Sequence, residues 1–203
     1  MFEPETFLIW SRERRADLME VVAMLAERRM CLVNDLLAAG IGPLYQTLGH
    51  EEFIPPLLGP QDLEDFVLRF DRPLAALLHA RGAWLYCHCH GRVSAFLEAF
   101  AQAGFDGLQP LEPPPMGDTD LADAKRRIGS RVTLWGNIQT HDLMTRSPAE
   151  IREMVRQTVL TGKPGGRFCL TPSAEVLMGP RLDARTLDNL CVFIDTGLEC
   201  GRY

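Results

Sequence analysis

The feature that most constrains the fold is a regular alternation of short apolar runs with helical segments. Apolar runs lie near residues 44, 84, 108, 132 and 168, and segments with helical spacing of apolar residues separate them. The joints are short, and glycine closes most of them. Strands that alternate with helices in this way form parallel βα units, because a parallel strand pair needs a crossover connection. The sequence therefore predicts an α/β fold with a parallel sheet.

Local patterns also predict where the individual helices lie. One long helix is expected over residues 11–39, and two shorter helices over 61–70 and 73–80, separated near Pro73. Another helix begins at Ser147, where Ser, Pro and Glu occupy the cap, first and third positions. The remaining predicted elements are helices over 94–103, 119–128 and 184–198 and strands over 43–48, 83–90, 107–111, 131–134 and 167–170.

Five strands after a helical start are typical of the later part of a (β/α)8 barrel of the TIM type. Such a barrel has eight strands and usually about 250 residues, whereas this chain has 203. The sequence has no repeat, low-complexity stretch or interdomain linker. We therefore expect residues 1–203 to form one barrel domain that is incomplete, with about five of eight βα units and the N-terminal units missing.

Composition narrows the range of partners and compartments. The formal net charge of −6 argues against nucleic acid or an anionic membrane as the main partner, because both attract basic surfaces. No apolar stretch approaches the roughly 20 residues of a membrane span. The N-terminus lacks the features of a signal peptide, and the six cysteines are scattered rather than arranged as a disulfide framework. We expect a cytoplasmic protein.

Two histidines stand at the end of the second predicted strand, in the tetrapeptide His88-Cys89-His90-Gly91. Because alternate residues of a strand share a face, the two imidazoles are expected to lie side by side, facing the barrel axis. Cys87 and Cys89 should then face the helices and pack as small buried residues. A His-x-His pair on one strand can give a divalent metal two nitrogen ligands. Hydrogen bonding within the core or a loop is the alternative.

Polar side chains also follow the three later strands. Glu112 follows the third strand and could complete a metal site or act as an acid or base. Asn137 follows the fourth and offers a two-sided hydrogen-bonding group, and Glu175 follows the fifth as a possible ligand. The carboxyl ends of parallel strands meet at one rim, so we expect these groups to lie near the histidines. A solvated loop carboxylate at 112 and a turn-forming asparagine at 137 are the alternatives.

Several segments occur in an order typical of one superfamily. They are Gly42-Pro43 through Pro55-Pro56, His88-Cys89-His90-Gly91, Leu111-Glu112-Pro113-Pro114-Pro115-Met116-Gly117-Asp118, Trp135-Gly136-Asn137-Ile138, Gly165-Gly166-Arg167-Phe168 and Gly201-Arg202-Tyr203. In this order the chain resembles the uroporphyrinogen decarboxylase superfamily, which includes the decarboxylase of haem synthesis and zinc methyltransferases that serve corrinoid proteins. The resemblance extends over nearly the whole chain and implies a (β/α)8 barrel.

The resemblance also implies a zinc site. The methyltransferase branch binds zinc through a His-x-Cys at one strand end and a later cysteine. Here His88 matches the histidine, His90 stands where the first cysteine would be, and the later position falls near Ala174, beside Glu175. A set of His88, His90, Glu112 and Glu175 is harder than a thiolate set. It suits hydrolysis or carbonyl polarisation at least as well as activation of a thiol.

The decarboxylase branch is matched less well. Its substrate-binding arginines and key aspartate come from an earlier part of the barrel, and Thr171-Pro172-Ser173-Ala174 replaces its late Gly-His-Gly. We therefore expect a metal-dependent, methyltransferase-like lyase or transferase that acts at the carboxyl-terminal rim. Glu112 and Asn137 would be its catalytic residues. Zinc, a small-molecule substrate and a corrinoid protein would be its cofactor and partners.

Two alternatives stay open at this point. One is a uroporphyrinogen decarboxylase of porphyrin biosynthesis. The other is a truncated, non-catalytic barrel fragment that needs a homodimer or a partner chain to supply the missing strands, because an open sheet leaves two rows of unpaired backbone groups.

Overall fold

A parallel sheet of five strands organises the part of the protein that the computed structural model describes, residues 3–175 and 182–202. All neighbouring pairs are parallel, and the spatial order follows the chain. The strands are β1 (Leu44–Leu48), β2 (Trp84–Cys89), β3 (Gly107–Pro110), β4 (Thr133–Ile138) and β5 (Phe168–Pro172). Each crossover therefore leads to the next strand in one direction, as in a barrel and unlike a doubly wound sheet. The predicted α/β fold of partial TIM-barrel type is confirmed.

Helices occupy the connections between these strands. They are α1 (Pro4–Glu13), α2 (Arg15–Ala38), α3 (Pro60–Leu63), α4 (Arg69–Ala80), α5 (Leu97–Ala103), α6 (Leu121–Ile128), α7 (Thr140–Thr145), α8 (Pro148–Gly162) and α9 (Ala184–Gly201). Shorter 3-10 turns cover His50–Phe53 and Ser94–Phe96, and a π-helical turn covers Glu64–Leu68. Within the described ranges, no helix combines the length and apolar character that crossing a membrane requires.

The predicted single helix over residues 11–39 is two helices, and this expectation was wrong. The first begins earlier, at Pro4, where proline occupies the first turn. The break falls at Arg14, whose φ of −133° lies outside the helical region. The Arg14 guanidinium lies 4.8 Å from the centre of the Trp10 ring and also bonds Asp17 at 2.7 Å. These side-chain contacts accompany the break and leave no trace in hydrophobic periodicity.

Two further boundaries differ from the prediction. Pro73 lies inside α4 and does not separate two helices, and a π-helical turn over Glu64–Leu68 precedes it in one continuous helical run. The fourth strand extends beyond Leu134 to Ile138, and the short helix α7 follows it. Glycine and asparagine at 136 and 137 indicated a turn locally, but pairing with β5 keeps them in the sheet.

The apolar core lies between the helices and one face of the sheet. Leu85, Cys87, Leu108 and Leu134 come from this face, and each is 0% exposed. The opposite, concave face is open in the described structure, because Leu48 at the edge is 72% exposed and Trp84 is 52% exposed. Leu48 lies at the carboxyl end of β1 and Trp84 at the amino end of β2, so this face is exposed at both ends of the strands near the β1 edge.

A buried ion-pair network joins the amino-terminal helices to the sheet. The Asp71 carboxylate on α4 lies 2.8 Å from His50 Nε2 and 2.8 Å from Arg29 Nη2 on α2. Asp71 is fully buried and His50 is 3% exposed. A cavity of about 360 Å³ borders these groups and the β1 residues Gln46 and Thr47. The network fixes α2 and α4 beside the first strand, where the 3-10 turn begins.

Candidate functional site

Strand β2 places its cysteines and histidines on opposite faces, as predicted. Cys87 and Cys89 are 0% and 1% exposed and belong to the core. Burial raises the pKa of both thiols, so they are packing groups and not thiolate ligands. His88 is half-buried on the concave face, and His90 follows directly after the strand. Polar chemistry at this strand end therefore belongs to the imidazoles.

The two imidazoles are in direct contact. Their ring centres are 4.7 Å apart and the ring planes are nearly perpendicular, at 83°. His88 Nε2 lies 3.0 Å from His90 Nε2, a hydrogen-bonding distance. One of these nitrogens donates a proton and the other accepts it, so the pair shares one proton between two basic atoms.

The outer nitrogen of His88 is fixed by Gln109. His88 Nδ1 lies 3.0 Å from Gln109 Oε1, and the two residues are register partners in β2 and β3. An amide oxygen only accepts, so His88 carries its proton on Nδ1 and presents a lone pair at Nε2. His90 must then donate from its own Nε2 to complete the bond between the rings.

Glu112 holds the other histidine. Its Oε1 lies 3.2 Å from His90 Nδ1, and its Oε2 accepts a hydrogen bond of 2.8 Å from the Gly91 amide. The residue is 6% exposed, so it is not a solvated loop carboxylate. Both carboxylate oxygens are engaged, and the side chain spans from β3 to the loop after β2.

The electrostatics of this pair favour its charged form. The hydrogen bond to Glu112 raises the pKa of His90 above its ordinary value, against the opposing effect of partial burial. Burial by itself would raise the pKa of Glu112, but hydrogen bonds from His90 and Gly91 outweigh that effect and lower it. Glu112, His90, His88 and Gln109 therefore form a continuous chain of hydrogen-bonded side chains, and the imidazolium–carboxylate pair stands at its Glu112 end.

The loop after β3 is packed closely around Glu112. Leu111 has a φ of 56°, which is uncommon for a leucine, so the chain turns sharply just before the carboxylate. A Cβ at Gly117 would lie 2.3 Å from the Glu112 carbonyl oxygen and 2.6 Å from that of Gly91. Only glycine permits this approach, which holds the proline loop against the histidine strand.

The other two predicted site residues lie further along the rim. Asn137 lies within β4, opposite Thr171 of β5, and is 9% exposed. It is a strand residue and not a turn former. Glu175 follows β5 and is exposed. Among the described residues, the hydrogen bonds that join His88, His90 and Glu112 extend to neither of them.

Sequence reasoning missed a further carboxylate, Glu51. It lies in the 3-10 turn after β1, and its Oε2 is buried without a hydrogen-bond partner in the described structure. Its charge adds to the Glu112 effects that raise the pKa of His90, and it adds to burial in raising the pKa of Cys89. The sequence could have identified this residue, because Glu51 follows the end of a predicted strand. Glu112 was identified by the same criterion.

The donor set fits a divalent metal only in part. Two imidazole nitrogens converge, and each outer nitrogen is held by a carboxylate or an amide, as second-shell partners hold metal-binding histidines. Glu112 occupies such an outer position. Within residues 3–175 and 182–202, however, no three His, Cys, Asp or Glu side chains converge closely enough to hold a metal ion. The zinc site at His88, His90, Glu112 and Glu175 therefore stays a prediction.

Aromatic rings line the concave face below the histidines. Tyr86 and Trp135 stack with ring centres 4.9 Å apart and an interplanar angle of 14°. They meet across Gly107, where a Cβ would lie 3.1 Å from Tyr86 Cβ. A cavity of about 280 Å³ borders this stack and Trp84 at the amino ends of the strands. The stack forms an apolar floor beneath the polar rim.

Comparison with known proteins supports the resemblance. The model of the uroporphyrinogen decarboxylase (URO-D) family matches residues 2–187. A methyltransferase from Methanosarcina mazei has a similar structure, with a TM-score of 0.75 and 20% sequence identity over 98% of this chain. At that identity the similarity shows the fold alone. The chain spans only 54% of the methyltransferase's length. Among curated proteins, none matches the chain significantly.

Proposed function

Because the chain belongs to the uroporphyrinogen decarboxylase family, we propose that it is part of a zinc-dependent, methyltransferase-like enzyme whose metal binds at His88 and His90. One observation carries the proposal, the 3.0 Å approach of the two Nε2 atoms. The Nδ1 atoms of both rings are turned away toward Gln109 and Glu112, so the Nε2 atoms are the two that can turn to a shared ion.

Bound zinc would act as a Lewis acid toward a substrate thiol, water or carbonyl oxygen. Imidazole ligands are harder than thiolates, so this site is less specialised for thiols than a His-x-Cys site. The chain's own residues orient the ligands and manage protons. Gln109 fixes the tautomer of His88, and Glu112 fixes the ring of His90 and can accept its proton. Asn137 would hydrogen-bond a substrate further along the same rim.

The substrate would be a small molecule bound on the concave face, above the stack of Tyr86 and Trp135. A corrinoid protein is the proposed source of the methyl group, and the six free thiols suit a cytoplasmic enzyme. Neither proposal calls for a basic surface, in keeping with the net charge of −6.

Zinc affinity tests the site directly. Metal-free protein and its His88→Ala and His90→Ala variants are titrated with zinc in competition with a chromophoric chelator. His141→Ala, which changes an exposed histidine on α7, is the matched control. We expect one zinc per chain in the wild type and the control. Each site variant should lose more than the roughly 10- to 100-fold that removal of an outer-shell partner costs. A wild type that binds no zinc contradicts the proposal.

Methyl transfer tests the reaction class. Methylcobalamin and a small thiol are mixed with the zinc-loaded protein, and loss of the methylcobalamin absorbance is followed. We expect zinc-dependent demethylation that the His141→Ala control retains. Zinc-loaded protein that binds the metal normally but transfers no methyl group would contradict the methyltransferase assignment and leave the metal site standing.

A second proposal concerns completion of the barrel. Within the described residues, β1 and β5 are edge strands with unpaired backbone groups, and Leu48 and Trp84 are 72% and 52% exposed. An eight-stranded barrel covers these groups. We propose that a second copy or a partner chain supplies further strands to this sheet. Sedimentation of the purified chain gives its assembly state, and thermal melting gives its cooperativity. A monomer at micromolar concentration that melts cooperatively would contradict the proposal.

A further inference from the structure

A cavity of about 360 Å³ lies between α2, β1 and the helical run that leads into α4. Among the described residues, it shares no lining residue with the hydrogen-bonded chain from Gln109 to Glu112. Small-molecule sites are clefts of roughly 300–1,000 Å³ with mostly apolar walls and a few polar groups. An engineered apolar cavity of about 150 Å³ already holds benzene. The space beside β1 is therefore large enough for a compact organic molecule.

The walls of this cavity are largely aromatic. Three phenylalanine rings line it, those of Phe53, Phe66 and Phe70. The ring of Phe7 meets those of Phe53 and Phe66 edge-on from behind, with ring centres 5.4 and 5.5 Å apart. Edge-to-face pairs of this kind are favourable, so they help to keep the wall in place. Such a wall favours a ligand whose body is apolar.

One end of the cavity is polar, because Arg29, His50 and Asp71 also line it. The two Asp71 oxygens lie 2.8 Å from Arg29 Nη2 and 2.8 Å from His50 Nε2. His50 Nε2 therefore donates to the carboxylate, and Nδ1 of the neutral ring is an acceptor. Arg29 Nε, a donor, and His50 Nδ1 are buried without a hydrogen-bond partner in the described structure. The polar end thus has one donor and one acceptor to satisfy, and leaving them unpaired is costly.

The charges at this end select against ionised ligands. The Asp71 carboxylate would repel an anion, and the Arg29 guanidinium would repel a cation. A hydroxyl group is uncharged and both accepts and donates. It can therefore serve Arg29 Nε and His50 Nδ1 together, since both side chains hold the same carboxylate. The Arg29 side chain is 35% exposed, so a ligand can reach it.

We infer that the cavity beside β1 binds a small uncharged molecule with an apolar ring or branched chain and one hydroxyl group. A hydrocarbon would leave both unpaired atoms unsatisfied, and a carboxylic acid would bring a second negative charge beside Asp71. The inference is independent of the proposed zinc site, because none of the residues proposed to bind zinc lines the cavity.

Equilibrium dialysis of chelator-treated protein against 2-naphthol, naphthalene and 2-naphthoate tests the ligand class. These probes share one ring system and differ in the polar group. We expect 2-naphthol to bind roughly 5- to 10-fold more tightly than naphthalene, the gain expected from one net hydrogen bond. The charged 2-naphthoate should bind more weakly than either. Equal binding of 2-naphthol and naphthalene would overturn the hydroxyl requirement, and no binding of any probe would overturn the site.

Two matched pairs of variants test where the probe binds. Ala26 lines the cavity, so Ala26→Leu should fill part of it, whereas Ala16→Leu makes the same change at an exposed place on the same helix. Leu25 lines the cavity and Met24 does not, although each is 59% exposed, so Leu25→Trp and Met24→Trp form the second pair. Circular dichroism checks that each variant is folded, and the exposed Leu25 position keeps the test valid if Ala26→Leu folds poorly.

We expect each lining variant to weaken 2-naphthol binding by roughly 10-fold or more, because a side chain now occupies the space of the probe. Both controls should bind 2-naphthol like the wild type. Binding that both lining variants leave unchanged would place the probe elsewhere on the protein and overturn the inference.

Discussion

Glu112 Oε1 lies 3.2 Å from His90 Nδ1, and this contact joins the end of β3 to the end of β2. The carboxylate is nearly buried, whereas the His90 side chain is 34% exposed. Because the second oxygen is bonded to the Gly91 amide, the contact fixes both the backbone and the ring of the histidine strand end.

Glu112→Gln should destabilise the metal-free protein in a pH-dependent way. The raised pKa of His90 gives stability that is complete below its ordinary value of 6.5 and is lost as pH rises through the folded value. The lowered pKa of Glu112 gives stability that is present above its ordinary 4.5 and is lost as pH falls through the folded value. The pair therefore stabilises most between pH 4.5 and 6.5.

At pH 5.5 the hydrogen bond joins the charged forms of His90 and Glu112. Solvent screens this bond in part, because the His90 side chain is 34% exposed. We therefore expect the free energy of unfolding to fall by about 1–2 kcal/mol. The loss should shrink at pH 8.5. Urea denaturation at both pH values measures it, with Glu27→Gln on the exposed side of α2 as the control. A loss that is equal at both pH values would show that the pair is not charged.

Glu51→Gln should have the opposite effect on the metal-free protein. An amide still buries a polar atom without a partner at this position, but a neutral group costs less to desolvate than a charged one. The free energy of unfolding should therefore rise by about 1 kcal/mol in the presence of a chelator. Thermal melting of the wild type and the variant in chelator measures this. A variant less stable than the wild type would count against a desolvation cost at Glu51.

Gly117→Ala should displace the loop that carries Glu112. Its Cβ would fall 2.3 Å from one backbone oxygen and 2.6 Å from another, and backbone cannot rotate away as a side chain can. We expect a loss of roughly 2–3 kcal/mol and weaker zinc binding. Gly59→Ala is the matched control, because its Cβ would meet only Asp62 Oδ2, at 3.9 Å. Unchanged melting of the Gly117 variant would mean that the loop accommodates the methyl group.

Asp71→Asn should destabilise the junction between α2, α4 and the turn that carries Glu51. The substitution removes the charge that faces both Arg29 and His50 in a buried place, at a cost of roughly 3 kcal/mol. Asp35→Asn, which changes an exposed carboxylate on α2, should be nearly neutral. Chemical denaturation compares the two, and equal stabilities would show that the network contributes little.

Much of the architecture was predictable because strand and helix periodicities are local. Period-two alternation in β2 correctly separated Cys87 and Cys89 from His88. The same local reasoning ended the fourth strand at Leu134, whereas Asn137 is a paired strand residue, and it separated two helices near Pro73, which lies inside a helix. Pairing partners and neighbouring turns decide such positions, and they lie outside a short sequence window.

The sequence by itself determined the parallel βα order and the pairing of two imidazoles at one strand end, because both follow from spacing along the chain. Only the tertiary structure decided what each carboxylate does. Glu112 is bonded at both oxygens and holds His90 in place, whereas Glu51 has a buried oxygen without a partner in the described structure. Those roles depend on distances between strands that are far apart in the chain, and identical residue types at identical strand ends do not reveal them.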